Sequence, residues 1–143
     1  PISIGLTNQD DLSFKKLYLS SETPGKSNHQ ISTEQNKNLL YQNILSTSLN
    51  HLIDINLIEQ ANHIKIDVDG LESKIIDGMT NLIENTSIKS IIIEWNCSID
   101  IRKKYQKYFT EHGLIEVYPK VENQLNSYFL NKNLINIYSD KLI

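Results

Sequence analysis

The sequence predicts an α/β fold, and three features of its second half carry that expectation. Ile64, Ile66 and Val68 alternate with Lys65, Asp67 and Asp69, the two-residue period of a strand. Asp69-Gly70 then signals a turn, because glycine reaches backbone angles closed to other residues. Beyond the turn Leu71, Ile75, Ile76, Met79, Leu82 and Ile83 fall on one face of a helix. The same order recurs downstream, where an apolar strand over 88–95 precedes a helix capped by Ser98. Such alternation implies a parallel sheet with helices on its faces.

The remaining elements follow in chain order. Residues 2–6 form a short apolar strand opening into a polar turn over 7–11, and 14–19 read as a second strand. Residues 20–38 are rich in Ser, Asn, Gln and Thr, contain Pro24-Gly25 and read as a loop. Structureless loops of that length are usually functional or disordered. A further strand is expected over 39–45, and Ser48 caps a short helix carrying Leu49, Leu52 and Ile53 as far as Ile58. One helix is expected over 72–84, with Glu72 complementing its positive end. Gly78 inside it costs about 1 kcal/mol relative to Ala, which close packing against the sheet would explain.

Ile91-Ile92-Ile93 has the continuous apolar character of a strand covered on both faces. After Ser98, Ile101, Tyr105, Tyr108 and Phe109 form a buried helical stripe, and Gly113 suits the position just past that helix. Residues 114–118 read as a strand stopped by Pro119. Two last strands are expected over 127–130 and 134–138, turning at Asn131-Lys132-Asn133 to make an antiparallel C-terminal hairpin.

Bulk properties narrow the functional classes. A chain of 143 residues, 39% apolar, has room for one domain and one core. The net charge of −3 and scattered lysines argue against nucleic acid or anionic membrane as partner. No apolar run reaches the length of a membrane span, and no signal peptide is visible. Cys97 is the single cysteine, which excludes an internal disulfide or a cysteine-based zinc site and fits a reducing, cytoplasmic compartment. Following an apolar strand, it reads as a half-buried structural thiol. The chain begins at Pro1 and its one methionine is Met79, so it is expected to be part of, or processed from, something longer.

The chemistry gathers at strand ends. Asp67, Asp69 and Glu72 cluster after the first clear strand, and Glu94-Trp95-Asn96 close the second. In open α/β sheets ligands bind at the carboxyl ends of strands. Asp67 is the strongest candidate, because a carboxylate in an apolar strand needs a reason. Asp69 divides equally between turn formation or capping and catalysis, and Glu72 reads first as a helix-dipole partner. Glu94 follows three isoleucines, which favours a pocket role. Lys65 either snorkels or pairs with a neighbouring carboxylate. Trp95 reads as core. His29, His51, His63 and His112 show no metal-ligand spacing, although oxygen ligands from two adjacent strand ends could cradle Mg²⁺. The five glycines are too dispersed for a phosphate or dinucleotide fingerprint.

Two resemblances bear on this cluster. Asp67-Val68-Asp69-Gly70 resembles the haloacid-dehalogenase phosphatase motif, whose first Asp is a nucleophile and whose second is a general acid–base. Leu71 stands where that motif has Thr or Val, and the later acidic pair of its Mg²⁺ site is absent. A longer match is to the FkbM-type methyltransferases, whose K-I-D-x-E/D-G-x-E segment precedes an apolar pair and a helix glycine. Lys65-Ile66-Asp67-Val68-Asp69-Gly70-Leu71-Glu72 followed by Ile75-Ile76-Asp77-Gly78 is similar to it. Ser48-Leu49-Asn50-His51-Leu52 resembles the family's S/T-L-D-x-L segment, with Asn50 replacing the usual Asp. Ile91-Ile92-Ile93-Glu94 resembles its next strand, and Ile4-Gly5-Leu6-Thr7-Asn8 the turn after its third.

The resemblance implies a Rossmann-like methyltransferase sheet, mostly parallel with an antiparallel C-terminal hairpin, and S-adenosylmethionine as cofactor. It implies methylation, usually of a hydroxyl oxygen, on a small molecule, glycan or lipid. The family's glycine-rich loop and ribose-binding acidic residue lie on its first two strands, which would precede Pro1. Residues 1–143 would then be a single partial domain, from the third strand onward. In that setting Asp67 and Glu94 are the expected catalytic residues. Leu6, Thr7 and Asp67 would contact the cofactor, and Asp69, Glu72 and Asn96 the acceptor, with further acceptor contacts in 20–38. A carboxylate there could serve as base or hold a divalent ion. The competing expectations are a non-catalytic α/β interaction module or remnant, and a Mg²⁺-dependent phosphatase. A truncated sheet would expose an apolar edge and invite self-association.

Overall fold

The structure, a computed structural model, describes residues 2–19, 30–32, 40–85, 87–117 and 125–138. Most of the expected 20–38 loop, and Tyr118 and Pro119, lie outside the described residues. The first half builds one four-stranded sheet from β1 (Gly5–Leu6), β2 (Ser13–Tyr18), β3 (Gln30–Ser32) and β4 (Tyr41–Thr47), in the order β1-β4-β2-β3. A short helix, α1 (Leu49–Asp54), follows β4 directly. As the sequence implies, Ser48 caps it, accepting a hydrogen bond from the His51 amide at 2.9 Å.

The second half builds another sheet, from β5 (His63–Asp67), β6 (Ser90–Glu94), β7 (Leu114–Glu116) and β8 (Asn126–Asn131). Its order is β5-β6-β8-β7, so the last strand inserts antiparallel between β6 and β7. Between β5 and β6 run α2 (Glu72–Asp77) and α3 (Thr80–Glu84); α4 (Ile99–Glu111) follows β6, and α5 (Lys132–Tyr138) follows β8. Ser98 caps α4, and Gly113 takes φ +81° just beyond it.

Several expectations need correction, among them the expected extension of the first helix to Ile58, since α1 ends at Asp54. Among the described residues only β1–β4 and β5–β6 pair in parallel, and the other four pairings are antiparallel. The strands form two mixed sheets rather than one mostly parallel sheet, because β2 runs antiparallel to β4 in the first and β8 antiparallel to β6 in the second. The expected helix over 72–84 is two helices. At the break the Gly78 carbonyl accepts the Asn50 amide (2.9 Å), while the Leu82 amide, its partner in a continuous helix, bonds Met79 instead. Residues 134–138 belong to α5, not to a strand, and the antiparallel arm is β7–β8. Asn131 begins that helix by accepting the Asn133 amide on its side chain at 3.0 Å. Finally, the faces of β6 are unequal: Ile91 and Ile93 are fully buried but Ile92 is only half-buried. On its side of the sheet Ile92 pairs with Lys65 and Tyr128, both polar-ended, so that face is incompletely covered.

The core lies on the other face. Ile66, Ile91, Ile93 and Phe129 from the sheet meet Ile76, Met79 and Ile83 from α2–α3 and Tyr105 and Phe109 from α4. Phe109 and Phe129 pack tilted at 4.8 Å between ring centroids. Ile101, expected in the buried stripe of α4, is 39% exposed, and Tyr108 is half-buried with its hydroxyl donating to Glu84. Trp95 is core, as expected.

Candidate functional site

The strand β5 ends at Asp67, and the parallel register sets Asp67 directly beside Glu94, the last residue of β6. Two carboxylates from adjacent strands thus stand at one carboxyl end. Lys65, two residues back and therefore on the same face, donates to Asp67 at 2.6 Å. That hydrogen bond, and then the ammonium's charge, hold the Asp67 carboxyl below the usual carboxylate range, with a further contribution from Glu94. Lys65 is raised in return. Both partners are largely exposed, so the pair sets the ionisation of Asp67 more than it stabilises the fold. Of the two roles the sequence allows Lys65, snorkelling or pairing with a neighbouring carboxylate, the structure shows the pairing, and the i, i+2 spacing on a strand is what selects Asp67.

Glu72 occupies a different environment. It is 1% exposed, and its Oε1 accepts the amides of Gly70 (3.1 Å) and Asn96 (3.3 Å). One carboxylate therefore ties the turn after β5 to the turn after β6. Its Oε2 and the Trp95 Nε1 are buried without hydrogen-bond partners among the described residues. The N-cap position of α2 is Leu71, whose side chain makes no capping bond. Gly70, at φ +86°, supplies the backbone reversal that brings Glu72 back under the turn. Asp69 and Asn96 are exposed on these same turns. Cys97 follows, its thiol pushed up by burial and then by the Glu72 charge, so it is not a reactive thiolate.

Leu6 stands on the far side of a cleft that Thr7, the next residue, does not line. The cleft has a volume of about 360 Å³ and apolar walls, including Ile4, Leu6, Leu49, Leu71, Ile75 and Met79. Every residue from Ile64 to Val68 also lines it, although successive residues of a strand face opposite ways. It therefore runs along the edge of β5. Among the described residues β5 pairs only with β6 and β1 only with β4, so two unpaired strand edges share this cleft. Thr7 is buried and engaged: its amide donates to the Thr47 carbonyl at 2.9 Å, and its hydroxyl accepts the Gln9 amide at 3.3 Å. The turn it opens is clipped to α1 through Ser48, which donates its hydroxyl to Asp10.

The structure thus brings Asp67 and Glu94 together and joins Glu72 to the Asn96 turn. It places Leu6 and Asp67 on one cleft, and it turns Thr7 toward its own loop. Among the described residues no three His, Cys, Asp or Glu side chains are grouped to hold a metal ion. No described helix is long and apolar enough to cross a membrane.

Comparison with known proteins gives one informative relationship. The chain is 28% identical over 101 residues to the hexuronic acid methyltransferase AglP of Haloferax volcanii, covering 70% of this chain and 38% of that protein. It is thus similar to a methyltransferase, and spans well under half of that relative's length. No family model matches the chain, and no solved structure does.

Proposed function

We propose that this chain forms part of an S-adenosylmethionine-dependent methyltransferase of the FkbM type that methylates a hydroxyl oxygen of a glycan. The observation that carries the proposal is the similarity to a hexuronic acid methyltransferase over 70% of the chain. The paired carboxylates at the ends of β5 and β6, where α/β sheets bind ligands, support it. The unpaired edges of β1 and β5 support a sheet that further strands complete, as does the 38% coverage of the relative.

The residues present fit part of the cofactor. The apolar cleft suits the faces of an adenine ring, and Lys65 and Asp67 are its polar lining side chains. The groups for the ribose and the methionine end would come from outside the residues that line this cleft. When bound, the cofactor supplies an electrophilic methyl. Asp67, kept ionised by Lys65, accepts a hydrogen bond from the acceptor hydroxyl and orients it. A carboxyl held below its ordinary range is a weak base. Glu94, half-buried alongside, is therefore the carboxylate that takes the proton. Glu72 holds the two flanking turns in place rather than touching the acceptor.

Phosphatase chemistry at Asp67 has less support, since no third ligand of a metal groups with Asp67 and Asp69 among the described residues. Calorimetry with S-adenosylmethionine tests the main reading, on a polypeptide that joins this chain to the strands filling the cleft. Binding is expected, weakened about tenfold or more by Asp67→Ala. No binding by that protein refutes the proposal.

A further inference from the structure

Away from the acidic strand ends, β2 and β4 carry a face that methyl transfer leaves unused. Phe14, Lys16 and Tyr18 lie on one side of β2 by the two-residue period, and the register sets Leu45, Asn43 and Tyr41 opposite them. Tyr18 is buried, but Phe14 is 77% exposed and Tyr41 50%. Asn43 is exposed between them. The Lys16 ammonium stands over the Tyr41 ring, 4.2 Å from its centroid. Phe14 and Tyr41 sit at opposite ends of this face, four strand residues or roughly 14 Å apart. That spacing is longer than one sugar ring.

The composition selects the occupant. An aromatic face carries partial negative charge, and the C–H face of a sugar ring packs on it while the hydroxyls stay free to hydrogen-bond. Asn43 offers both a donor and an acceptor to such hydroxyls. Lys16 offers a compact positive charge to a carboxylate. An apolar protein surface would strand Lys16 and Asn43 without partners. A nucleic acid would ask for more cations than the single lysine that the described residues place on this face, since Lys15 points the other way.

We propose that the β2–β4 face binds an acidic oligosaccharide, with Phe14 packed against a sugar ring and Lys16, seated over the Tyr41 ring, paired with a uronate carboxylate. In treating this glycan as the methyl acceptor, the inference rests on the methyltransferase reading above; the binding itself does not.

The test uses the 143-residue chain, isotopically labelled, and two probes: trigalacturonate and the neutral maltotriose. Amide shifts over 13–18 and 41–46 are expected on adding trigalacturonate, with binding at least about fivefold tighter than for maltotriose. Lys16→Ala should abolish that preference, and Phe14→Ala should weaken both ligands. Phe14 is exposed, so its truncation spares the core, and the unperturbed remainder of the spectrum verifies the fold. Equal affinity for the two probes, shifts confined to other residues, or no shifts at all overturns the proposal. Glycan binding without cofactor binding by the completed protein would remove the methyltransferase reading alone. Cofactor binding without glycan binding would remove this one alone.

Discussion

Replacing Gly78 by alanine tests how the two sheets are held together. A Cβ built at Gly78 would lie 2.0 Å from the Thr7 carbonyl oxygen, 3.0 Å from its carbon and 3.2 Å from the Asn8 Cα. All three are backbone atoms, so no side chain can swing aside. The helix end and the Thr7 turn would have to separate by about 1 Å or more. Overpacking of this kind costs about 1–3 kcal/mol. The same movement strains the bond from the Asn50 amide to the Gly78 carbonyl, 2.9 Å long and worth about 1 kcal/mol. Against this, alanine gains about 0.4–1 kcal/mol by restricting the unfolded chain. The net expectation is a loss of about 1–3.5 kcal/mol. At roughly 3–4 °C per kcal/mol for a chain of this size, thermal unfolding should move down by about 3–14 °C. Gly70→Ala is the control: its Cβ would meet nothing nearer than the Asn96 carbonyl at 3.8 Å, but its φ of +86° imposes a backbone cost of about 1–2 kcal/mol. A Gly78→Ala chain as stable as the parent would refute the close approach, and with it the explanation for the broken helix.

Two further outcomes follow from the site. Glu72→Ala strips partners from the Gly70 and Asn96 amides and should cost about 2–4 kcal/mol in urea unfolding, whereas Glu72→Gln keeps an acceptor oxygen and should cost less; equal losses would argue against the bridging role. Lys65→Met should raise the titration midpoint of the Asp67 carboxyl toward its ordinary value, read by carbon NMR, and an unmoved midpoint would show that Lys65 is not its partner. The sign for stability follows from the depressed folded-state value. The contribution of Asp67 is present above its unfolded value and fades as pH falls through the folded one, so Lys65→Met should make melting less sensitive to acid below the ordinary aspartate range.

The local elements of the second half were legible because each carries its own chemistry. The alternation from Ile64 to Asp69, the serine caps at Ser48 and Ser98 and the glycine after α4 all act through neighbours in sequence, and all reappear in the structure. What escaped depends on distant partners. The break at Gly78 arises from Thr7 and Asn50, far away in sequence, and no helical pattern encodes it. Residues 134–138 are β-branched and aromatic enough to pass as a strand; the capping asparagine at 131 was the available signal, and its reading as a turn residue hid it. At the site, Asp67 and Glu94 could be brought together from their strand positions alone. The burial of Glu72 could not, because a first-turn glutamate looks the same whether it faces water or reaches under a neighbouring loop.

The cleft between β1 and β5 has a mechanical consequence. Within each sheet, parting two strands means breaking a ladder of backbone hydrogen bonds, but no described ladder crosses from β1 to β5. What spans the gap is side-chain packing from α1 and α2, together with the seat of Gly78 on Thr7 and the Asn50 bond to the Gly78 carbonyl. The sheets are thus joined as by a clasp rather than a seam. A guest that pries the cleft wider would therefore have to displace the seat of Gly78 on Thr7 and the Asn50 bonds to Gly78 and Thr80, and no strand ladder.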